Sequence, residues 1–363
     1  MKYKYRNLCS RILMSPQGLF SYNNKRAKDP AVVAILLITA FLLISLSSCF
    51  KEKPLSAPSN SGIGQTNTIN MGPGYGDQFF YSLATNKVIS SNSRLAYDLM
   101  FDDNPNTFNV WLNTANSPTV CATGQYNLDS VTFRDTIGHG FNCERGSYNV
   151  DSNAFGQWWN PNTNPPTSKG QVYIVNLGVD SVGHSLGFMK MMMGDYSNGV
   201  YFIYFENMDN SGGVHHALIR KDGSYNYNYL YFSFKDSVVN IEPQKSLWDL
   251  CFTHYTCVFY IPQYTPYAVT GILQNPSKVS AYLYADTTIN FDSVKIKNFN
   301  PALLSTNRDA IGYMWKRYNG SYTVLDHYTY FVQTGSNSIY KLHFVGYYNK
   351  GNDGYPAFEY FPL

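Results

Sequence analysis

One segment of this chain is written twice, without a gap. FYSLATNKVISSNSRLAYDLMF at 80–101 aligns with YFSFKDSVVNIEPQKSLWDLCF at 231–252, 151 positions later, and Ser82/Ser233, Val88/Val239, Asp98/Asp249, Leu99/Leu250 and Phe101/Phe252 are identical. A period this long predicts tandem domains rather than a solenoid of short repeats. Further matches follow in the same order. FGQWWN at 155–160 echoes IGYMWKRYN at 311–319, QVYIV at 171–175 resembles YTYFV at 328–332, Met189-Lys190-Met191 falls on Tyr340-Lys341-Leu342, and YFIYF at 201–205 resembles AFEYF at 357–361. The chain therefore reads as two copies of one module.

The N-terminal segment sets the compartment. Lys25, Arg26 and Lys28 precede the unbroken apolar run AVVAILLITAFLLISLS at 31–47, which meets Ser48 and Cys49. A positive stretch, an apolar core and small residues are the parts of a secretory signal. The run is at the lower edge of membrane-spanning length, and Leu46-Ser47-Ser48-Cys49 resembles the lipobox of bacterial lipoproteins, so Cys49 is the expected lipid attachment site. Residues 1–48 are then a signal peptide, with Met14 as an alternative start. Residues 49–75 (CFKEKPLSAPSNSGIGQTNTINMGPGY) are poor in apolar side chains and predict a flexible tether. The expected location is the outer membrane, lipid-anchored, facing the periplasm or the exterior.

Residues 49–363 leave room for two domains of ordinary size. The composition is 17% aromatic and 14% charged, with 32 Tyr and 23 Phe, a bias toward strands. YLYFSF, SLWDLCF, CVFYI, SAYLYA, HYTYFV, YKLHFVGYY and AFEYF are short and bounded by turn residues, and Lys341-Leu342-His343-Phe344-Val345 alternates as a strand with one wet face does. Only 302–317 has the makings of a short helix. The expected fold class is all-β: two tandem antiparallel modules at 76–206 and 229–363, joined by a linker at 207–228. The net charge of +3 includes the basic leader, and no basic patch points to nucleic acid. An exported chain can keep disulfides, so Cys121 with Cys143 and Cys251 with Cys257 are candidate pairs, buried free thiols being the other reading. No close-spaced cysteine or histidine set predicts zinc.

The second copy resembles a known family. YLYFSFKDSVVNIEPQKSLWDLCFTHYTCVFY, then IGYMWKRYNG, then YTYFVQTGSNSIYKLHFVGYY and GYPAFEYF are similar, in order, to the aromatic strand, W-D strand, Gly-x-x-Trp turn and closing strands of the HmuY family, outer-membrane lipoproteins of Bacteroidetes that bind haem. The match covers nearly all of 229–363 and, more weakly, 79–206. The resemblance implies an all-β fold that grips haem between two hairpin extensions, with iron bound by His or Met, and delivery to an outer-membrane transporter. This chain departs from that pattern. Asn319 stands where the family places a histidine, Asn160-Pro161 stands there in the first copy, and no histidine lies between His254 and His327. Met314, Tyr318 and His327 are the nearest substitutes: a sulfur or nitrogen ligand from Met314 or His327, and Tyr318 to stack on the ring or bond a propionate. A related module for a non-haem ligand, a glycan or a protein partner is the alternative.

Other motifs read as ordinary structure. Gly183-His184-Ser185-Leu186-Gly187 fits the G-x-S-x-G elbow of α/β-hydrolases, which would make Ser185 a nucleophile. That motif requires a strand before it and a helix after it, and the repeat alignment puts Ser185 in a hairpin turn, so no enzyme is expected. Met189, Met191, Met192 and Met193 suggest soft metal binding, but alternation splits them between faces. His215-His216 likewise point to opposite faces. DDNPN at 102–106 lacks the spacing of a calcium loop and reads as a turn.

Overall fold

The computed structural model describes residues 66–136, the backbone of 144–145, and residues 154–259, 265–284, 286 and 288–363. The leader, Cys49 and most of the tether lie outside the described residues. The fold class expected from the sequence holds: every described strand pairing is antiparallel, and among the described residues the helical content is confined to 3₁₀ turns. The anticipated helix within 302–317 is absent. A 3₁₀ turn occupies Pro301–Leu303 and the chain then runs in turns to the strand Lys316–Tyr318. Strand formation follows the residues. In His215–Arg220 only Ala217 and Ile219 are buried, while His216, Leu218 and Arg220 face outward, the period-two pattern of a sheet covered on one side.

Each copy builds one large sheet. In the first, Val172–Asn176, Phe188–Met193, Val200–Asn207 and His215–Arg220 form a meander extended by Thr119–Ala122 and Glu144–Arg145. In the second, Ser280–Tyr284, Thr329–Gln333, Ile339–Gly346 and Ala357–Pro362 do the same. The expected linker at 207–228 is thus partly sheet. Gly212 and Gly213, at φ +82° and +70°, make the turn of a hairpin rather than a hinge. The end of the expected tether is also ordered. Asn67–Thr68 pairs with Ala357–Pro362, and alternation carries Ile69 and Met71 into the core of the second copy.

The opening hairpins of the two copies are exchanged. Asp77–Ser82, paired with Lys87–Ser93, adds to Leu250–Phe259 of the second copy, with Tyr81 opposite Leu250 and Phe79 opposite Phe252. Tyr229–Ser233, paired with Ser237–Val239, adds to Leu99–Asp102 of the first, with Phe232 opposite Leu99 and Leu230 opposite Phe101. The duplicated aspartates fasten the exchange. Asp249 receives the Leu83 amide on Oδ2 and Asp98 receives the Phe234 amide, both at 2.8 Å, and their own amides bond Tyr81 O and Phe232 O. Asn113 and Asn275 complete each joint: Asn113 Nδ2 donates to Arg94 O and Tyr97 O, Asn275 Nδ2 to Lys245 O and Trp248 O. Neither half closes its core alone. Tyr81 and Leu83 lie in the core of the second copy, Phe232 in that of the first, and Phe80, Trp111, Tyr231 and Trp248 share a third cluster. At about 1.5–3 kcal/mol per buried large apolar side chain, these contacts hold the halves as one body, and the module limits expected at 206 and 229 divide what the hairpins join.

Candidate functional site

Two hairpins of the second copy stand apart at one end and enclose a cleft. The long arm is Leu250–Phe259 with Thr265–Gln274, and the short arm is Lys316–Tyr318 with Tyr322–Val324. The cleft measures about 270 Å³ and is lined by Phe259, Tyr267, Val269 and Thr270 from the long arm and by Tyr313, Lys316, Tyr318 and Tyr322 from the turn and the short arm. Their spacing is set by a close backbone approach. Ile272 and Gly312 exchange amide-to-carbonyl bonds at 3.0 and 3.1 Å, and a Cβ on Gly271 would meet Gly312 O at 2.7 Å. Gly312 itself sits at φ +60°, a conformation that favours glycine.

Trp315 anchors the short arm. It is fully buried, stacks on Phe344 with ring centroids 4.0 Å apart, and donates Nε1–H to Gly312 O at 3.2 Å. With Trp315 facing the core, its chain neighbours turn outward. Met314 is 57% exposed and Tyr318 62% exposed, the latter against Tyr322 at 5.0 Å. Lys316 is the exception, folded back to the floor of the cleft at 8% exposure. Its Nζ donates to Thr270 O at 2.5 Å and lies 4.4, 5.5 and 4.9 Å from the ring centres of Trp315, Tyr322 and Tyr347. Burial pushes the Lys316 ammonium down to about 7, against which the charge of Asp353 works in the opposite sense. Burial likewise raises Tyr313 and Tyr322 above the ordinary phenol range, so both cleft hydroxyls stay protonated donors.

Of the three residues singled out for haem, only Tyr318 lines the cleft. Met314 faces solvent beside it. His327 is half-exposed, 3.8 Å from Asp326 and edge-on to Tyr328. The remaining histidines of this half turn inward: His254 Nδ1 meets Ala115 O at 3.3 Å, and His343 lies on Phe291 at 3.6 Å between Asp326 O and Glu359. What sequence reasoning missed is Lys316 and the long arm. A lysine beginning a strand reads as solvated, and the only signal was its place directly after the buried Trp315.

Cys251 and Cys257 sit on one continuous strand and are free. Six residues of strand span roughly 20 Å, whereas a disulfide needs Cα atoms about 4.4–6.8 Å apart, so the candidate bridge between Cys251 and Cys257 is corrected and the other reading, free thiols, holds. Cys121 is disulfide-bonded, and Cys143 lies outside the described residues. Ser185 is exposed in the loop between Val172–Asn176 and Phe188–Met193, accepts the Gly187 amide, and is followed by a strand where the hydrolase elbow requires a helix. The methionines divide as alternation predicts: Met191 and Met193 enter the main core of the first half and Met192 packs beneath it with Leu128 and Val131. His215 stacks on Phe205, and both His215 and His216 are exposed. Asp102 and Asp103 spend their oxygens on Trp111 Nε1, Asn109 and the amides of Asp222 and Tyr227. Among the described residues no group of three or more His, Cys, Asp or Glu is placed to hold a metal ion.

Comparison with protein-family models, curated proteins and solved structures finds no match to this chain.

Proposed function

We propose that this chain is a non-enzymatic binding protein of the cell envelope, anchored to the outer membrane through lipidated Cys49, whose second half holds a flat conjugated ligand, haem or another porphyrin, between its two arms. The observation that carries the reading is the cleft itself: opposed hairpins whose facing side chains are aromatic, with Phe259, Tyr267 and Tyr318 exposed at its mouth. Exposed aromatic clusters of this kind mark ligand or partner sites. The ordered similarity of 229–363 to HmuY-type lipoproteins supports the same reading, since the resemblance implies haem held between hairpins and passed to an outer-membrane transporter.

The residues fit the ring better than they fit the expected iron ligands. Tyr267, Tyr318 and Tyr322 offer faces for a porphyrin, and Lys316 offers an ammonium for a propionate. For the iron, the described lining supplies tyrosine oxygen, a known axial ligand of haem iron, and neither His327 nor Met314 lines the cleft. Titration of the mature protein with haem and with metal-free protoporphyrin tests this. Binding of both, lost on Tyr318→Ala, is the expected result, and absence of any Soret shift or fluorescence change with either removes the porphyrin reading.

A second reading rests on size. At about 270 Å³ the cleft is just under the roughly 300–1,000 Å³ of usual small-molecule sites, so a porphyrin would be gripped by one edge. A smaller ring, aromatic or sugar, would be enclosed.

A further inference from the structure

We propose that the cleft selects ligands in which a flat ring carries an anionic substituent, a carboxylate, sulfonate or phosphate, and that Lys316 Nζ is the group that meets the charge. This rests on the binding reading above and narrows it to a ligand class. The argument is a comparison of four lysines folded into the interior. Lys190 donates to Leu128 O, Val131 O and Asn210 and pairs with Glu206 at 3.0 Å. Lys341, at the equivalent place in the second copy, donates to Phe291 O at 2.7 Å and Val294 O at 3.1 Å, with Asp292 O at 3.4 Å. Lys221 donates to Asn104 O and Thr107 O within the field of Asp102 and Asp103. Lys316 donates to one carbonyl, that of Thr270. No described carboxylate is within ion-pair distance of it; Asp353, the acid whose charge it feels, is engaged by the Tyr75 hydroxyl at 2.5 Å.

An ammonium has three N–H donors, and one held out of water with a single hydrogen bond is costly. The ring faces around it offset part of that cost and leave the remaining donors without an acceptor among the described residues. Lys316 is also the only one of the four that lines the cleft, whose other described lining residues carry no charged side chain. An anion brought in by the ligand completes the site, and the tyrosines supply the stacking surface for the ring that carries it.

The test compares two fluorescent probes that share a ring system, 1-anilinonaphthalene-8-sulfonate and the neutral N-phenyl-1-naphthylamine, on the mature chain. The expected result is that the sulfonate binds at least about tenfold tighter below neutral pH, that this preference fades as pH rises past the lysine's titration near 7, that Lys316→Met abolishes the preference without weakening the neutral probe, and that Tyr318→Ala weakens both. Equal affinity for the two probes in the wild type, or an unchanged preference in a folded Lys316→Met protein, overturns the proposal. Should that variant fail to fold, Lys316→Arg and the wild-type pH profile decide in its place. Porphyrin controls separate the two claims: failure of protoporphyrin to bind while the sulfonate preference stands removes the porphyrin reading alone, and equal binding of protoporphyrin and its dimethyl ester removes the Lys316 proposal alone.

Discussion

The two halves share a frame and differ at one corner. In the first, strands of 4 and 3 residues join Asp98 to Asn113, whereas in the second two strands of 10 residues join Asp249 to Asn275. The short connection of the first half folds down onto its own core. Phe108 packs 4.9 Å from Tyr196 and 5.8 Å from Trp159, its carbonyl takes the Trp158 indole N–H at 2.7 Å, and Lys221 Nζ sits 4.6 Å above its ring. The long connection of the second half stands away from Trp315 and leaves a cleft above Lys316. Duplication thus supplied one copy that is plugged by its own side chains and one that is open. The lesson is that the exchanged hairpins and paired aspartates are the mechanical part the two copies share, and arm length sets whether a copy has a cleft beside its short hairpin.

The largest effect tests whether the frames are equivalent. Trp158 and Trp315 are both fully buried beneath the short hairpin of their half, so alanine at either should cost ~3–5 kcal/mol, read as a lower urea midpoint at unchanged slope. A marked inequality between the two would mean that the halves differ below the corner as well as at it.

Next comes acid stability, because the same position carries opposite chemistry in the two copies. Asp103 aligns with His254. Burial raises the Asp103 carboxyl and lowers the His254 imidazole to about 4, the Arg94 charge adding to the latter. A histidine whose folded value is depressed binds fewer protons folded than unfolded, so its contribution is complete above pH 6.5 and is lost as pH falls toward 4. That contribution is at most about 3 kcal/mol. His254→Phe should flatten the stability curve across that window. Asp103, with a raised folded value, contributes in the opposite sense, favouring the fold as pH falls through the carboxylate range, so Asp103→Asn should steepen the acid limb. Coincident pH profiles for wild type and His254→Phe would sink this assignment.

The exchange joints come third. Asp98→Ala leaves the Phe234 amide without its side-chain acceptor and Asp249→Ala does the same to Leu83, at roughly 1–3 kcal/mol each. Asp249 also holds Lys278 at 2.9 Å, so its loss should cost more. Both variants should raise amide exchange in the opening hairpin of the opposite half. Faster exchange in the hairpin of the same half would contradict the exchanged pairing.

How much of this was legible in the sequence follows from what each signal measures. The duplication was readable because Asp98/Asp249 and the flanking Leu and Phe do identical work, and the all-β class because alternation and aromatic richness act locally. The exchange was not readable: Asp249 bonding the Leu83 amide and a hypothetical Asp249 bonding the Phe234 amide use the same residue types, so aligning the copies cannot tell which partner is chosen. The segment 207–228, expected as a linker, is in part the hairpin of Val200–Asn207 and His215–Arg220, because its polar, glycine-containing turn does not announce the strand that follows. Tyr318 was found through the family resemblance. Lys316 was not, because its burial depends on the distant long arm bringing the Thr270 carbonyl over it.

The smallest effect addresses the corner directly. Phe108 is only partly buried, so Phe108→Ala should cost about 1–2 kcal/mol and leave the fold intact. It removes the ring that lies between Tyr196, Trp159 and Lys221. If that plug alone separates the halves, the variant gains a second, weaker site, and the stoichiometry for the neutral naphthylamine probe rises from one toward two. If the stoichiometry stays at one, a plug is not what closes the first half. The missing arm is then the cause, because the cleft of the second half takes half its wall, from Phe259 to Thr270, from strands that the first half never builds.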